Sequence, residues 1–432
     1  MPKPRTVIGL LAVALAVGLS AFLASTAQTS SAARASSART CAFSLRIGDV
    51  LPFTGDLAAY GANLDRAVKL AVSVQNAALK KLHLNSRIKS TLVDSEDGQT
   101  QAQASVEAAT KEVKSEHVNV VIGEMASSAT IPMAQSVTIP NHVVTISPTS
   151  SAPQISAIKD NGYLWRVYPS DTLQGKVLAL AAIQAFGKNA TINVGSRNDA
   201  FGQALRKLFV AQFRKLGGKV GVNISWNPDQ STFDTESQQL TSGNPKGWVI
   251  IDFPATFQKF LPSLVRTGRW QASKTLMTEA LRDGSFLNGL GSVVNGLRGT
   301  AASSAGGPAG KAFHALWNAT VTGAKPYTGF EGTAFDAANV AFLAAMRACS
   351  ASSPKIRNNL ISISGPPGTK VTFRQMGLAI RLLLAHKDID YQGAFSPVNF
   401  DRNGDISSAV YELWRYNGNG NISTLKTVTF GG

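Results

Sequence analysis

Two acidic residues have the chemistry needed to bind a positively charged group of a small ligand. Asp171 begins a predicted helix after the segment 168–170, and Glu279 follows the apolar pair at 276–277. Each carboxylate could simply cap a helix. If both lie at strand ends across one cleft, they would instead bind an ammonium group through charge-assisted hydrogen bonds.

Two further segments concentrate hydroxyl groups directly after predicted strands. Residues 123–130 would begin a helix whose first N–H groups can bind a carboxylate, and residues 146–153 would form a polar loop. Their candidate ligand-binding residues are Ser127, Ser128, Thr149, Ser150 and Ser151. Helix capping and an ordinary polar turn remain the alternatives, so neither segment is specific by itself.

The loop at 52–61 supplies an aromatic side chain, Tyr60. It lies between a buried strand pattern at 45–50 and an amphipathic helix pattern at 63–81. A strand, a loop and then a helix is how an open α/β sheet presents a ligand site at its strand ends. Tyr60 could therefore cover a small ligand, or it could anchor the loop.

No enzymatic motif accompanies these candidates. The five histidines are dispersed, and the sequence contains no G-x-S-x-G, G-x-G-x-x-G or G-x-x-x-x-G-K-(S/T) motif. The acidic segment 401–405 has its glycine too early for a calcium loop, so a hairpin turn is favoured. We predict a binding protein without catalytic residues, metal ion or cofactor.

The 432-residue chain carries a formal net charge of +16, from 42 basic and 26 acidic residues. The basic residues are scattered, without the long run of like charges that is typical of a nucleic-acid-binding tail. We interpret the charge as a solvated basic surface, with anionic envelope polymers or lipid head groups as alternative partners. A chain of this length can bury its core in two compact units.

The first 40 residues have the composition of a targeting segment followed by a tether. A basic start precedes an apolar run at 7–23, and the small residues at 25–27 suit a signal peptidase. We predict a signal peptide at 1–27, a Ser/Ala-rich linker at 28–40, and export to the periplasm, cell envelope or exterior. A retained anchor is the alternative, because an apolar run of this length can span a bilayer.

The chain contains two cysteines, Cys41 and Cys349. An exported chain with two cysteines permits one disulfide bond, which would join the start of the first strand to the predicted helix at 332–347. A reactive or metal-binding thiol is the alternative, but no C-x-x-C motif or neighbouring histidine supports it.

Strand and helix patterns alternate from residue 43 onward. Strand patterns occur at 45–50, 88–93, 118–122, 143–146, 190–194, 220–224, 248–251, 275–277, 398–400 and 410–416. Helix patterns occur at 63–81, 100–114, 128–135, 171–186, 201–216, 232–240, 255–266 and 332–347. This alternation predicts an α/β fold in which mostly parallel sheets are flanked by helices.

Taken in chain order, these segments resemble the receptors of branched-chain amino-acid (leucine/isoleucine/valine) ABC importers, which are type I periplasmic binding proteins. The matching residues are Tyr60-Gly61, Gly123 with Ser127-Ser128, Ser147-Pro148 with Ser151-Ala152-Pro153, Asp171 with Gln174-Gly175, Asn198-Asp199-Ala200-Phe201-Gly202, Glu279 and the segment 399–405. The similarity extends from about residue 44 to 425. Its order and spacing, rather than any single motif, carry the resemblance.

The resemblance implies a two-lobed type I periplasmic-binding-protein fold with three inter-lobe crossings. The lobes would comprise 41–168 plus 303–408 and 169–302 plus 409–432. By the same resemblance, Tyr60 and the hydroxyl-bearing residues contact the ligand, and Asp171 and Glu279 bind its ammonium group.

The resemblance also implies an amino acid or close analogue as ligand and a membrane permease as partner. It predicts a monomer that binds no nucleic acid and closes its lobes about a hinge. A sensor module of the same fold, uncoupled from transport, is the alternative. Ala280 stands where relatives often carry glycine, and the segment 251–254 matches the family's second aromatic contact without assigning it to one residue.

Overall fold

The first part of the chain forms a parallel sheet that matches most of its predicted strands. The structure is a computed structural model, and it describes residues 41–303 and 307–430. The strands are β1 (Phe43–Leu51), β2 (Ile88–Asp97), β3 (Val120–Gly123), β4 (Val144–Ser147) and β5 (Leu164–Arg166), in the spatial order β2-β1-β3-β4-β5. β3 and β4 are buried along their whole length, because helices cover both faces of a parallel sheet.

The helices that flank this sheet follow from the apolar periodicity. They are α1 (Gly61–Lys81), α2 (Ala102–Lys114), α3 (Ser127–Met133) and α4 (Gln154–Ala157), with a π-helical stretch at Ala134–Thr138 that continues α3. In α1 the apolar stripe is fully buried at Leu64, Ala67, Val68 and Ala71. Burial of this stripe fixes which face of α1 packs against the core.

A second sheet follows with the same alternation. Its first strands are β6 (Thr191–Arg197), β7 (Lys219–Trp226), β8 (Trp248–Ile251), β9 (Thr275–Met277) and β10 (Arg298–Ala302). Its helices are α5 (Asp171–Phe186), α6 (Ala200–Lys215), α7 (Asp234–Leu240), α8 (Pro254–Arg266) and α9 (Gly284–Gly289). Gly175 lets α5 approach α6 closely, since an added Cβ would lie only 2.8 Å from the Cβ of Leu208.

The chain then returns to the first sheet. The elements there are α10 (Pro308–Thr320), α11 (Phe330–Ala348), α12 (Ser353–Arg357), β11 (Thr369–Thr372), α13 (Met376–Leu384) and β12 (Ile389–Gln392). α11 is buried over nearly its whole length and packs along α1. β11 and β12 form a separate two-stranded parallel sheet.

A disulfide bond joins Cys41 to Cys349, whose Cα atoms lie 5.3 Å apart. It connects the residues that precede β1 to the carboxyl end of α11. The predicted pairing is confirmed.

Two antiparallel strands complete the second sheet. They are β13 (Ala409–Tyr416) and β14 (Ile422–Phe430), and the spatial order is β14-β13-β10-β9-β8-β6-β7. The predicted strand at 398–400 is wrong, since this segment forms only a single bridge between Phe400 and Ile406. The segment 401–405 is a tight turn in which the Asp401 N–H donates to the Asp405 carbonyl at 2.7 Å.

We call the five-stranded sheet with α1–α4 and α10–α13 the first lobe, and the seven-stranded sheet with α5–α9 the second lobe. The chain crosses between the sheets after β5, after β10 and before β13, so the predicted two-lobed α/β fold is confirmed. The lobe boundaries predicted residue by residue stay predictions. No helix within 41–303 and 307–430 is long and apolar enough to cross a membrane. The predicted signal peptide and linker lie outside the described residues.

Candidate ligand-binding site

A narrow cavity of about 20 Å³ lies between the two lobes. Most of its walls come from loops that follow the carboxyl ends of parallel strands, where open α/β sheets bind ligands. The first lobe contributes Leu57, Met125, Ala126, Ser127, Thr149, Ser151 and Phe330, and the second contributes Phe201, Phe253, Glu279 and Ala280. Apolar side chains thus surround a few polar groups, which is the usual composition of a small-molecule site.

Ser127, the first residue of α3, ties two loops of the first lobe together. Its hydroxyl oxygen accepts hydrogen bonds from the N–H groups of Ser151 at 3.2 Å and Ala152 at 3.1 Å. The Ser127 proton is not donated to any residue in the described ranges. Because a hydroxyl can donate one hydrogen bond while it accepts two, this O–H group remains a donor at the cavity wall.

Glu124 organises the loop that follows β3. Its backbone carbonyl accepts hydrogen bonds from the hydroxyls of Thr130 at 2.9 Å and Ser147 at 2.7 Å, and its side chain accepts the Ala126 N–H. Burial raises the pKa of Glu124 to about 8, because the charged form loses its hydration. Sequence analysis missed this role, since two of these three partners are hydroxyls brought together by α3 and β4.

The remaining hydroxyl candidates face different ways. Thr149 lines the cavity, although its own hydroxyl donates to a backbone carbonyl at 2.8 Å. Ser150 is buried, and its hydroxyl contacts the loop after β3. Ser128 is half-buried and outside the cavity lining. The structure therefore brings Ser127, Thr149 and Ser151 to the cavity, and leaves the other two serines away from it.

Tyr60 connects the lobes and does not itself line the cavity. It is 1% exposed, and its hydroxyl donates to the backbone carbonyl of Ala280 at 2.7 Å. Its ring packs edge-on against Phe330, with the ring centroids 5.2 Å apart. Both contacted residues line the cavity, so Tyr60 supports the cavity wall from behind.

Asp171 and Glu279 form a buried pair of carboxyl groups in the second lobe. Asp171 is the first residue of α5, and Glu279 follows β9 and lines the cavity. Neither carboxylate oxygen of Asp171 accepts a well-formed hydrogen bond, whereas Glu279 accepts one from the Gln174 side chain. Within the part of the chain that the structure describes, no cation forms an ion pair with either acid.

The two carboxyl groups raise each other's cost of ionisation. Burial raises the pKa of Glu279 to about 7, against the opposing effect of the Gln174 hydrogen bond. Burial, and then the charge of Glu279, raise the pKa of Asp171, against the opposing effects of Ser151 and Arg166. A cation that enters the cavity would lower both pKa values, because it stabilises the charged forms. In residues 41–303 and 307–430, no cluster of His, Cys, Asp or Glu side chains could hold a metal ion.

An aromatic wall closes the second-lobe side of the cavity. Phe201 and Phe253 are stacked, with ring centroids 5.2 Å apart and planes inclined by 15°. The guanidinium carbon of Arg197 lies 3.8 Å from the centroid of the Phe253 ring, a cation–π contact. Within the segment 251–254, Phe253 is the residue that faces the cavity. Leu57 was not predicted, because an apolar residue after a strand has the same pattern as a core residue.

This arrangement defines a class of protein. Two α/β lobes enclose a small cavity that has hydroxyl groups on one side and the Glu279 carboxyl group with an aromatic wall on the other. Such a molecule is a ligand receptor whose site is assembled from both lobes.

Comparisons with known proteins agree with this class. A model of the periplasmic binding protein family matches residues 44–404, and the chain belongs to this family. The predicted resemblance to its type I, branched-chain amino-acid-binding members is confirmed.

One curated relative and two solved structures illustrate the likeness. The chain is 24% identical over 377 residues to the chemotactic signal transduction system substrate-binding protein BasB of Halobacterium salinarum, covering 86% of this chain and 85% of that protein. The leucine-binding protein LivK of Thermotoga maritima has a TM-score of 0.70 at 20% identity, covering 89% of this chain and 98% of that one. LivJ of Streptococcus pneumoniae in complex with isoleucine has a TM-score of 0.68 at 16% identity, covering 90% and 100%.

Proposed function

We propose that this protein is an extracytoplasmic receptor for an α-amino acid with an apolar side chain, and that it delivers this ligand to the permease of an ABC importer. The observation that carries the proposal is the pair of buried acids, Asp171 and Glu279, with which no cation of the described residues forms an ion pair. We also propose that the protein acts as a monomer and binds its ligand without chemical conversion.

The acid pair supports an ammonium group at the second-lobe end of the ligand. A buried carboxylate without a partner is destabilising, and a bound ammonium would offset this through charge-assisted hydrogen bonds. Glu279 lines the cavity and is the direct contact in this proposal. Burial and the charge of Glu279 raise the pKa of Asp171, so Asp171 would add its negative charge from behind once a ligand ammonium stabilises the ionised form.

The first-lobe loops support a carboxylate at the opposite end. The Ser127 O–H group lines the cavity and donates to no described residue, so it would bond a ligand carboxylate. Ser151 also lines the cavity, and its hydroxyl interacts with Asp171. The two ends of a zwitterion would then meet complementary groups on opposite lobes, which couples binding to lobe closure.

The apolar side chains of the cavity support an aliphatic side chain on the ligand. Leu57, Met125, Phe201, Phe253 and Phe330 line the rest of the cavity. An aliphatic side chain buried against them would gain roughly 2 kcal/mol from removal of its surface from water. The solved leucine- and isoleucine-binding relatives fit this ligand class.

A sensor role is the second candidate. The relative BasB is a substrate-binding protein of a chemotactic signal transduction system, and it matches most of both chains. The same cavity would then report ligand to a signalling partner. A permease and an ATPase encoded beside the gene would favour transport, and an adjacent signalling receptor would favour sensing.

The ligand class is tested by isothermal titration calorimetry of residues 41–432. The panel is L-leucine, L-isoleucine and L-valine, with 4-methylpentanoate lacking the ammonium, 3-methylbutylamine lacking the carboxylate, and benzoate. We expect binding of the α-amino acids only. Equal binding of L-leucine and 4-methylpentanoate would overturn the ammonium site, and binding of none of the amino acids would overturn the ligand class.

The physiological role is tested in cells of the source organism. Loss of the gene should reduce uptake of the ligand identified by calorimetry if the protein serves an importer. Normal uptake together with lost chemotaxis toward that ligand would instead establish the sensor role.

A further inference from the structure

An ion pair joins the two lobes beside the cavity. Asp56 lies in the first-lobe loop after β1, and Arg197 is the last residue of β6 in the second lobe. An Nη atom of Arg197 lies 2.9 Å from an Oδ atom of Asp56, and their side chains are 4% and 13% exposed. Solvent and salt screen such a pair weakly, and removal of either partner would leave the other charge buried without its counter-charge.

Asp56 makes two more contacts with the second lobe. The Thr256 hydroxyl donates to the same carboxylate oxygen at 3.2 Å, and the Ala255 N–H points to the Asp56 carbonyl at 3.5 Å. Both partners lie in the first turn of α8, where the free N–H groups favour a negative charge. Asp56 therefore acts toward this helix as a cap supplied by the opposite lobe.

The partners of Arg197 make this contact specific to the closed arrangement. Within its own lobe Arg197 also pairs with Asp199 and, at 3.7 Å, with Asp252. When the lobes separate, Arg197 keeps both of these acids. Asp56, in contrast, loses its contacts to Arg197, Thr256 and Ala255, so its stabilising effect exists only while the lobes are closed.

The same residues adjoin the cavity walls. The guanidinium of Arg197 lies over Phe253, and Leu57 directly follows Asp56 in the chain. Both Phe253 and Leu57 line the cavity. We propose that Asp56 and Arg197 form a latch that holds the lobes closed, and that Arg197 is the positioning residue that orients Phe253 when the latch forms. The inference rests on the proposed function only in that closure accompanies ligand binding.

The latch is tested with Asp56→Asn, which keeps the size of the side chain and removes its charge. The matched control is Asp234→Asn, which removes an acid from the exposed pair of Asp234 with Arg266 within the second lobe. We expect Asp56→Asn to weaken L-leucine binding by about 10- to 100-fold, mainly through faster dissociation in stopped-flow measurements. The control should bind as the unaltered protein does.

Two measurements without ligand keep the test independent of ligand identity. In small-angle X-ray scattering, Asp56→Asn should increase the radius of gyration relative to the control. In hydrogen–deuterium exchange, amides at 252–258 should exchange faster, while those of β3 and β4 remain protected. Arg197→Lys, which keeps the charge but loses the planar stack, should weaken binding with a smaller change in scattering.

The outcomes separate the latch from the proposed function. Scattering, exchange and L-leucine affinity equal to those of the control would overturn the latch. If no amino acid binds the unaltered protein but Asp56→Asn still opens it, the latch stands and the ligand class falls.

Discussion

The second lobe contains two groups of buried acids, and only one of these groups includes a cation of the chain. Around Arg197, the acids Asp199 and Asp252 have a cation of the chain itself. Around the cavity, Asp171 and Glu279 have no ion-pair partner among the described residues. Asp199, Asp252 and Glu279 follow strands of the same sheet, and Asp171 begins α5 after β5, so a position after a strand does not by itself decide which acids have a cation.

The group around Arg197 shows the electrostatic effect of a cation that the chain itself supplies. Burial lowers the pKa of Arg197, but its three acidic neighbours outweigh burial and raise it, so the guanidinium stays charged. This group is complete and can serve as structure. The acids at the cavity lack such a partner. Burial raises the pKa of Glu279 to about 7, and it also raises the pKa of Asp252 to about 8 against the effect of Arg197, so the two groups differ in their ion pairs. A ligand that carries a positive charge would complete the second group.

The largest effect that would break this comparison is expected for Glu279→Ala. Removal of one partner of a buried charge pair costs about 3–5 kcal/mol, so affinity for L-leucine should fall at least a hundredfold. Isothermal titration calorimetry measures the change, with Asp234→Asn as control. An unchanged dissociation constant would remove Glu279 from the site.

Arg197→Met should lower the free energy of unfolding by a comparable or slightly smaller amount. Loss of the guanidinium leaves Asp252 and Asp199 buried without their cation, and we expect a loss of about 3 kcal/mol in the free energy of unfolding. Urea denaturation of the ligand-free protein measures it. If stability is unchanged, Arg197 does not complete its acid group and the contrast between the two groups fails.

The pH dependence of L-leucine binding tests the group of Asp171 and Glu279, which lacks a cation of the chain. Glu279 must be ionised to bind an ammonium, and its pKa of about 7 lies above the ordinary value of 4.5. Affinity for L-leucine should therefore fall by up to about tenfold per pH unit as the pH drops below 7. In ligand-free protein the sign reverses: protonation of Glu279 stabilises the fold, and this stability is lost as pH rises from 4.5 through 7. Glu279→Gln should flatten the dependence of L-leucine affinity on pH between pH 5 and 7. An equally steep dependence in this variant would show that another group titrates.

Ser127→Ala and Ser128→Ala test the opposite wall. Ser127 lines the cavity with a free O–H group, and Ser128 does not line it. We expect Ser127→Ala to weaken L-leucine binding by about tenfold, or about 1.4 kcal/mol, and Ser128→Ala to leave it unchanged. Equal losses of affinity from both substitutions would show that the first turn of α3, rather than the Ser127 hydroxyl alone, binds the carboxylate.

The smallest effect is expected for Asp171→Asn. It removes the charge that raises the cost of ionising Glu279, so the ligand-free protein should gain about 1 kcal/mol of stability while binding weakens. Thermal unfolding without L-leucine measures the gain in stability, and thermal unfolding with L-leucine measures the loss of binding. A loss of stability instead would show that Asp171 holds α5 in place.

Local pattern predicted most of the fold, and its failures have physical reasons. The strands β3 and β8 are short apolar runs rich in β-branched residues, so their length and composition identify them as buried strands. β10 was missed, because Arg-Gly-Thr-Ala-Ala lacks a run of branched or aromatic residues, and pairing on both sides stabilises it. β14 was missed because its edge position leaves its side chains largely exposed.

The sequence by itself determined the alternation of strands and helices, the pairing available to two cysteines, and the loops that carry hydroxyls and acids. Only the tertiary structure decided that Ser127 faces the cavity while Ser128 does not, that Tyr60 supports its wall, and that Glu279 lines the cavity with Asp171 near it but outside the lining. The reason is distance along the chain. Arg197 meets Asp56 across 141 residues, and Gln174 meets Glu279 across 105. Hydrophobic periodicity acts over a few residues, whereas these partners come from helices and loops that are adjacent only after the sheets have formed.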